Sequence, residues 1–337
     1  MKKFLSFVGV LGVMVLGWAN LGFCGTVTVY SPAGTVTGTY TTIQAGVGAC
    51  LVGGTVSASA GIYTGTVSIN KGIALIGVGT PTIDPPSGDA VTFTGTPTNG
   101  AVISGFIITG APSGYSGIYC NNGSPTITNN TITGNNNGIS CASSSPSITN
   151  NTISGNIFCG IHCYESSSPS ITNNTISGNS WIGIYCCDSS SSSIVNNILT
   201  ENTSGISCNS SSPFITNNTI SGNSFYGIHC SYSSPTIFNN IITENGTTST
   251  SYYGIYNDSS GNPIINYNCV WWNGSPPTNN YSGCSGGLGS ITANPQFIGG
   301  GDFHLKPSSP CIDKGSNTAP GIPSTDKDGK PKDNPHR

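Results

Sequence analysis

The sequence predicts an all-β chain wound as a parallel solenoid of short strands, and three observations carry that prediction. The first is a period. Gly-Ile-x-Cys recurs at Gly117, Gly138, Gly160, Gly183, Gly205 and Gly227 at intervals of 21 to 23 residues, followed by the variant Gly254-Ile255-Tyr256-Asn257. A fixed short period of this kind marks a repeat architecture. The second is a block that moves in step with it, I-T-N-N-T-I-S-G-N or close to it, whose paired asparagines fall at 129/130, 150/151, 173/174, 196/197, 217/218 and 239/240. The third is alternation within each unit: Ile118 and Cys120 face one side and Tyr119 the other, Ile127 is flanked by Thr126 and Thr128, and Ile132 repeats the arrangement, the period-two signature of a half-buried strand. Leucine-rich repeats of similar length need Leu at several fixed places, and Leu is almost absent here. Helical repeats are excluded by the density of Gly, Asn, Ser and Pro.

Taken from the amino terminus, Met1-Lys2-Lys3 is a basic start, residues 4–16 form an apolar run, and Ala19 or Gly22 offers a small residue for cleavage. Residues 1–24 therefore read as a secretory signal; the Gly-interrupted run is too short to span a bilayer. Leu21-Gly22-Phe23-Cys24 loosely resembles a bacterial lipobox with Cys24 as the lipid-bearing residue, although Phe23 departs from the small residue expected there. The mature chain is expected to be secreted or held at the cell surface. Residues 25–112 are expected to form an amino-terminal cap and the first coils, residues 113–275 the regular coils, and residues 276–337 a capping tail, with 279–301 its loosest part. Each unit supplies three strands. Stacked in register at about 4.8 Å, the Ile rows become one continuous core, and about ten coils make a parallel β-helix roughly 50 Å long. Asn suits the corner between the second and third strands, because it tolerates left-handed backbone angles and its amide bonds from coil to coil. Asn130, Asn151, Asn174, Asn197, Asn218, Asn240 and Asn268 are the expected ladder.

The G-I-x-C and P-x-I-x-N-N-x-I-x-x-N units resemble right-handed parallel β-helix repeats of the pectate-lyase-like superfamily, including its repeat-only secreted members. Thr41-Thr42-Ile43-Gln44-Ala45, Gly53-Gly54-Thr55-Val56, Gly61-Ile62-Tyr63 and residues 69–77 look like the cap and first coils of that family. The cap there is a short amphipathic helix, which Ile43, Val47 and Leu51 would supply. Asn294-Pro295-Gln296-Phe297, Asp302-Phe303-His304-Leu305, Ser309-Pro310-Cys311-Ile312-Asp313 and residues 326–331 resemble the tail that closes such proteins. The resemblance is specific for fold and weak for activity.

Charge excludes several functions. Charged residues are 6% of the 337, the net charge is −3, and the single Arg is Arg337, so no basic stripe can neutralise a run of phosphates and nucleic acid is excluded as a partner. No Lys or Arg occurs in residues 72–305. A lyase acting on polyuronates needs a strong base, normally Lys or Arg, beside acidic Ca²⁺ ligands, and an anionic chain would meet no compensating charge. The clustered Asp of polygalacturonases and the Asp, Asp, Arg set of pectin esterases are missing as well.

Cys120, Cys141, Cys163, Cys186, Cys208 and Cys230 occupy one place in six consecutive units. Parallel stacking holds their Cβ atoms about 4.8 Å apart, beyond the usual reach of a disulfide, so a column of buried, reduced thiols is favoured over alternating bridges. A linear row also lacks the convergence that tetrahedral metal coordination needs. Cys159, Cys187, Cys269, Cys284 and Cys311 lie outside the row, with a Cys284 to Cys311 staple as the candidate tie for the tail.

Enzymes of the resembled superfamily place substrate on the outer face of the first strand. Here that column reads Tyr119, Ser140, His162, Tyr185, Ser207, His229 and Tyr256, and the loops leading into it add Tyr115, Phe158, Trp181, Phe225, Tyr226 and Tyr252. Rings beside hydroxyls suit a sugar chain, whose C–H faces stack while its hydroxyls hydrogen-bond. The candidate binding residues are Tyr119, His162, Trp181, Tyr185, His229 and Tyr256, and the partner is a neutral polysaccharide or cell-surface glycan. Two other readings stand beside this one. Glu165 and Asp188 sit two positions past the ladder Cys of adjacent coils, roughly 5 Å apart, a separation that suits retaining glycoside hydrolysis or a Ca²⁺ ion; the plain alternative is a pair of solvated turn acids. Thr126/Thr128, Ser147/Thr149 and Ser170/Thr172 form a flat hydroxyl array of the type ice-binding solenoids display, interrupted by Val195, Phe214 and Phe238; Thr and Ser are also ordinary solvent-side strand residues. No other cofactor or metal is implied; the Asp326-Lys327-Asp328-Gly329 run is too short to count as a Ca²⁺ loop.

Overall fold

The computed structural model describes residues 25–95, 100–258, 260–322 and 324–330. The signal reading of residues 1–24, with Cys24, lies outside the described residues, as do Pro331 and Arg337.

Three sheets run the length of the molecule, one for each strand of the repeat, with twelve, ten and ten strands. The first-strand sheet stacks Ser116–Asn121, Asn137–Ala142, Ile161–Tyr164, Ile182–Cys187, Ser204–Asn209, Ile228–Ser231 and Ile255–Asn257 in parallel, each coil pairing with the next. Register is kept residue for residue: Ile118, Ile139, Ile161, Ile184, Ile206, Ile228 and Ile255 are successive partners. The rows starting at Ile127 and Ile132 behave likewise, and all three rows are buried in one core. Each buried Ile contributes roughly 1.5–3 kcal/mol of transfer free energy, and a one-residue slip in any strand would turn that row to solvent.

The repeated Asn pair divides its labour. The first member, as at Asn150 (φ 56°) and Asn173 (φ 61°), adopts the left-handed backbone that turns the corner. The second member carries the ladder. Asn174 Nδ2 donates to Asn197 Oδ1 at 3.1 Å, to Ile148 O at 2.9 Å and to Thr172 O at 3.1 Å, while its own Oδ1 accepts from the backbone N–H and Nδ2 of Asn151. A second, unforeseen ladder runs at the next corner through Asn135, Asn156, Asn179, Asn202, Asn223, Asn245 and Asn273, each buried and bonded to the next. The repeated Gly before Ile is explained by space rather than backbone angle. A Cβ on Gly160 would stand 2.6 Å from Gly183 O and 2.8 Å from Ile176 Cγ2.

The Cys row is in register and buried, every member a free thiol. Hydrogen bonding between stacked thiols, followed by burial, pushes Cys141, Cys163, Cys186 and Cys208 above the ordinary thiol range. The Cys284 to Cys311 staple is overturned: Cys311 interacts with Cys269 on the last third-sheet strand, and the Cys284 thiol donates to Ser282 O at 3.4 Å. Folding brings the tail back across the last coil, a proximity that chain spacing does not reveal.

At the amino end, the strands Val27–Tyr30 and Val36–Tyr40 add an antiparallel hairpin to the second-strand sheet, and the helix Ile43–Ala49 packs over the opening. Thr42 caps it by accepting from Ala45 N–H at 3.2 Å. Ile43 and Val47 are buried as expected, whereas Leu51 lies past the helix end and is exposed; Cys50 takes its place in the core. At the other end, the stretch expected to be loosest supplies Tyr281–Ser282, which extends the first-strand sheet, and Ile291, which bridges Cys269. The tail then forms the hairpin Phe297–Gly299 with Asp302–Leu305 and runs back along the Asn corner. Asn239 bonds both ways with the Ser316 backbone, Thr216 Oγ1 donates to Pro320 O, Asn196 Nδ2 to Thr325 O and Lys327 Nζ to Asn173 O. This strap covers Val195 and Thr216. The apolar interruptions of the hydroxyl array are thus partly a docking surface for the chain's own tail, and the array stays open only in the coils of Thr126, Ser147 and Ser170. No helix among the described residues is long and apolar enough to cross a membrane.

Candidate functional site

The outer face of the first-strand sheet carries the chemistry, because the register that buries Ile and Cys necessarily lines up the residues between them. Tyr119, Ser140, His162, Tyr185, Ser207, His229, Tyr256 and Ser282 are successive partners. Rings one coil apart meet: His162 stacks on Tyr185 with centroids at 5.2 Å and 13° between planes, and His229 lies tilted by 34° against Tyr256 at 5.3 Å. A second stack forms in the loops leading into the strands, Phe158 on Trp181 at 4.1 Å and Phe225 on Tyr252 at 4.2 Å. Partners sit on consecutive coils, and the two columns are turned against each other: Trp181 meets Tyr185 edge-on at 69° and Tyr226 meets Tyr252 at 88°.

Both stacks break at the same coil. In the Gly205 coil Thr203 stands where the loop stack would continue, and Ser207 where the strand stack would. The break leaves a slot of about 260 Å³, walled by Trp181 and Tyr185 on one side and Phe225, Tyr226 and His229 on the other, over Thr203, Ser204, Ser207, Asn209 and Ser231. Tyr185 and His229 are two coils apart, about 10 Å at the inter-strand spacing, so a flat ring inserted over Ser207 would restore the stack at its normal repeat. The slot runs along the strand Ser204–Asn209, crosswise to the solenoid.

The slot is uncharged. None of its lining residues is Asp, Glu, Lys or Arg. Burial holds His229, and His162 behind Tyr185, below the usual imidazole range, with Asp258 and Asp188 opposing weakly. Burial also pushes the Tyr185 and Tyr226 phenols up. Neutral imidazole, phenol, hydroxyl and amide can donate and accept hydrogen bonds without repelling or attracting a charge. Asn209 Nδ2 donates toward the Tyr185 hydroxyl at 3.5 Å.

Of the six residues expected to bind, Trp181, Tyr185 and His229 line the slot, and His162 and Tyr256 back its walls one coil further out. Tyr119 lies three coils from Tyr185. Glu165 (φ 52°) and Asp188 (φ 51°) occupy exposed left-handed turns after their strands. Their carboxylates take separate partners, Ser143 Oγ donating to Glu165 at 3.4 Å and Cys187 Sγ to Asp188 at 3.5 Å, and neither residue lines the slot. Cys187 Sγ also lies 3.5 Å from His162 Nε2, yet burial pushes this thiol up to about 12, which keeps it protonated. Among the described residues no cluster of three or more His, Cys, Asp or Glu is arranged to hold a metal. Sequence reasoning missed the small residues Thr203, Ser204 and Ser207 as the feature that opens the slot. The signal was present in the outward column, which reads Tyr-Ser-His, Tyr-Ser-His, Tyr-Ser.

Residues 90–240 match the family model described as right handed beta helix region. The chain folds as a right-handed parallel β-helix. Among solved structures it is similar to the mannuronan C-5 epimerase AlgE6 A-module of Azotobacter vinelandii, at 17% identity and TM-score 0.55 over 75% of this chain and 95% of that one. It is also similar to pectate lyase Pel9A, at 17% identity and TM-score 0.54 over 85% and 80%. The enzymatically active domain of bacteriophage CBA120 tailspike protein 2 matches at 15% identity and TM-score 0.53 over 77% of this chain and 46% of that one. These neighbours share the β-helix fold. No curated protein sequence matches the chain.

Proposed function

We propose that this β-helix protein binds or displays itself on a neutral polysaccharide or cell-surface glycan, without catalysis, by taking a sugar ring edge-on into the slot of the Gly205 coil. One observation carries the reading: two adjoining columns of rings are interrupted at the same coil, which leaves an uncharged gap about one ring thick over the buried hydroxyls of Ser204 and Ser207. A pyranose presents C–H faces to both walls and hydroxyls to Ser204, Ser207 and Asn209. Because the gap lies along a strand, the glycan crosses the solenoid rather than following its axis. Two structural neighbours are named for polymers of sugar acids, mannuronan and pectate. They support a carbohydrate partner, and the missing positive charge favours a neutral one.

A glycan array with the dye-labelled purified chain, followed by calorimetric titration of the hits, tests this. Trp181→Ala and Tyr226→Ala are each expected to weaken binding roughly tenfold, from the loss of one stacked face. Glu165→Gln and Asp188→Asn are expected to leave it unchanged. Binding indifferent to Trp181 and Tyr226, or an array with no signal, would refute the proposal.

A further inference from the structure

We propose that the Gly138 coil carries a second copy of the slot, held shut by Tyr164, so that the molecule is built to grip two parallel strands of the same neutral glycan. The inference rests on the slot reading and extends it. The outward column repeats Tyr-Ser-His every three coils, so Tyr119, Ser140 and His162 stand in the same relation as Tyr185, Ser207 and His229. Ser140 and Ser207 are equally sunken, 4% and 6% exposed. In the leading loop Asn136 stands where Thr203 does, so the loop stack is also absent from that coil.

Several slot positions differ, with Tyr115 in place of Trp181, Asn137 of Ser204, Ala142 of Asn209 and Cys159 of Tyr226, but one of them decides whether the gap is open. The residue two past the outward His is Tyr164 in one triplet and Ser231 in the other. The Tyr164 ring lies 4.7 Å from His162, and its hydroxyl interacts with that of Tyr119. It therefore reaches from one wall to the other across Ser140. Ser231 is too short to do so and turns its hydroxyl to Asp258 Oδ2 at 2.6 Å. Three coils separate the two slots by about 14 Å, and both run crosswise. Neighbouring strands of an ordered polysaccharide surface would enter both when Tyr164 swings aside.

The test exchanges the two residues and counts bound oligosaccharides. Cellohexaose, xylohexaose and mannohexaose serve as probes, with stoichiometry from native mass spectrometry and calorimetry and occupancy of the Gly205 slot from Trp181 fluorescence. Wild type is expected to bind one hexasaccharide, Tyr164→Ser two, the second roughly tenfold weaker because Cys159 stands where the first slot has Tyr226, and Ser231→Tyr none. The double exchange should bind one without perturbing Trp181. A folded Tyr164→Ser variant that still binds one overturns the second slot and leaves the first standing. Should Tyr164→Ser fail to fold, Ser231→Tyr decides, since retained binding there shows that a Tyr at this register shuts nothing. Wild type that binds none of the three probes overturns the slot reading and this inference with it.

Discussion

The Asn174 side chain takes part in five hydrogen bonds inside the solenoid wall. Its amide donates to three oxygens and its carbonyl accepts from the coil before. Asn174→Ala would strand several buried partners, and the expected loss in denaturant unfolding is about 2–4 kcal/mol. Asn173→Ala, which only loses a tolerant left-handed corner residue, should cost about 1 kcal/mol. Equal losses would mean that the ladder carries no special weight. Gly160→Ala is expected to be worse than either, about 3 kcal/mol or more, because the added methyl meets the Gly183 carbonyl, part of a backbone fixed by the neighbouring coil. His162 and His229 give the wall of rings a pH dependence. Burial lowers their folded-state pKa below the unfolded 6.5, so the unfolded chain binds more protons as pH falls through 6.5 toward the folded value. Stability should therefore drop across that window and level off below it. A His162→Gln, His229→Gln double variant should flatten this part of a melting-temperature profile; an unchanged profile would assign the dependence elsewhere.

Among the elements, the tail has the most to lose. The strap over the Asn corner is fastened at its far end by His304, whose imidazole bonds Asp302 in its own hairpin and, through Nε2 at 2.6 Å, Asp328 in the strap. Asp328 and Asp302 raise the His304 pKa, and His304 lowers theirs. The His contribution is complete below 6.5 and is lost as pH rises through the raised folded value. The Asp contributions are present above 3.8 and are lost as pH falls through their lowered values. The fastening is thus strongest in mildly acidic solution. Limited proteolysis should cut the strap faster at pH 8.5 than at pH 6, and His304→Ala should abolish that difference; equal rates in wild type would show that the exposed clamp contributes nothing. The same tail places Cys311 against Cys269, whose hydrogen bond lowers the Cys311 pKa. Cys311 is therefore expected to react first with iodoacetamide, well before the buried Cys row, as peptide mapping of briefly labelled native protein would show. None of these tail contacts was legible in the sequence. Those that fasten the strap to the Asn corner join residues 77 to 154 positions apart, and the tail itself has no repeat to align. The ladder of Asn130 and the Cys row were legible because one-coil register translates sequence period directly into spatial neighbourhood.

At the scale of the whole molecule, the solenoid behaves as a one-dimensional stack in which each coil is stabilised by the two it touches. Its ends are covered by the helix Ile43–Ala49 at one side and by Tyr281–Ser282 with Ile291 at the other, leaving the first-strand face free for a ligand. The sequence by itself determined the winding, the Ile core, the Cys row and the list of outward rings, because a period of about 22 residues with period-two alternation inside it leaves one arrangement that buries the three repeated Ile rows. The lack of Lys and Arg in residues 72–305 is also what leads the sequence reading to expect neither nucleic acid nor polyuronate chemistry. Only the tertiary structure decided which rings pair, where the stacks stop, and which corner the tail would occupy. Those depend on the direction a side chain takes once its neighbours above and below are in place, and spacing along one chain does not contain that information. Glu165 and Asp188 illustrate the limit: adjacent by register, they end on exposed turns with separate partners, while the slot opened at Ser207, a residue whose contribution is its small size.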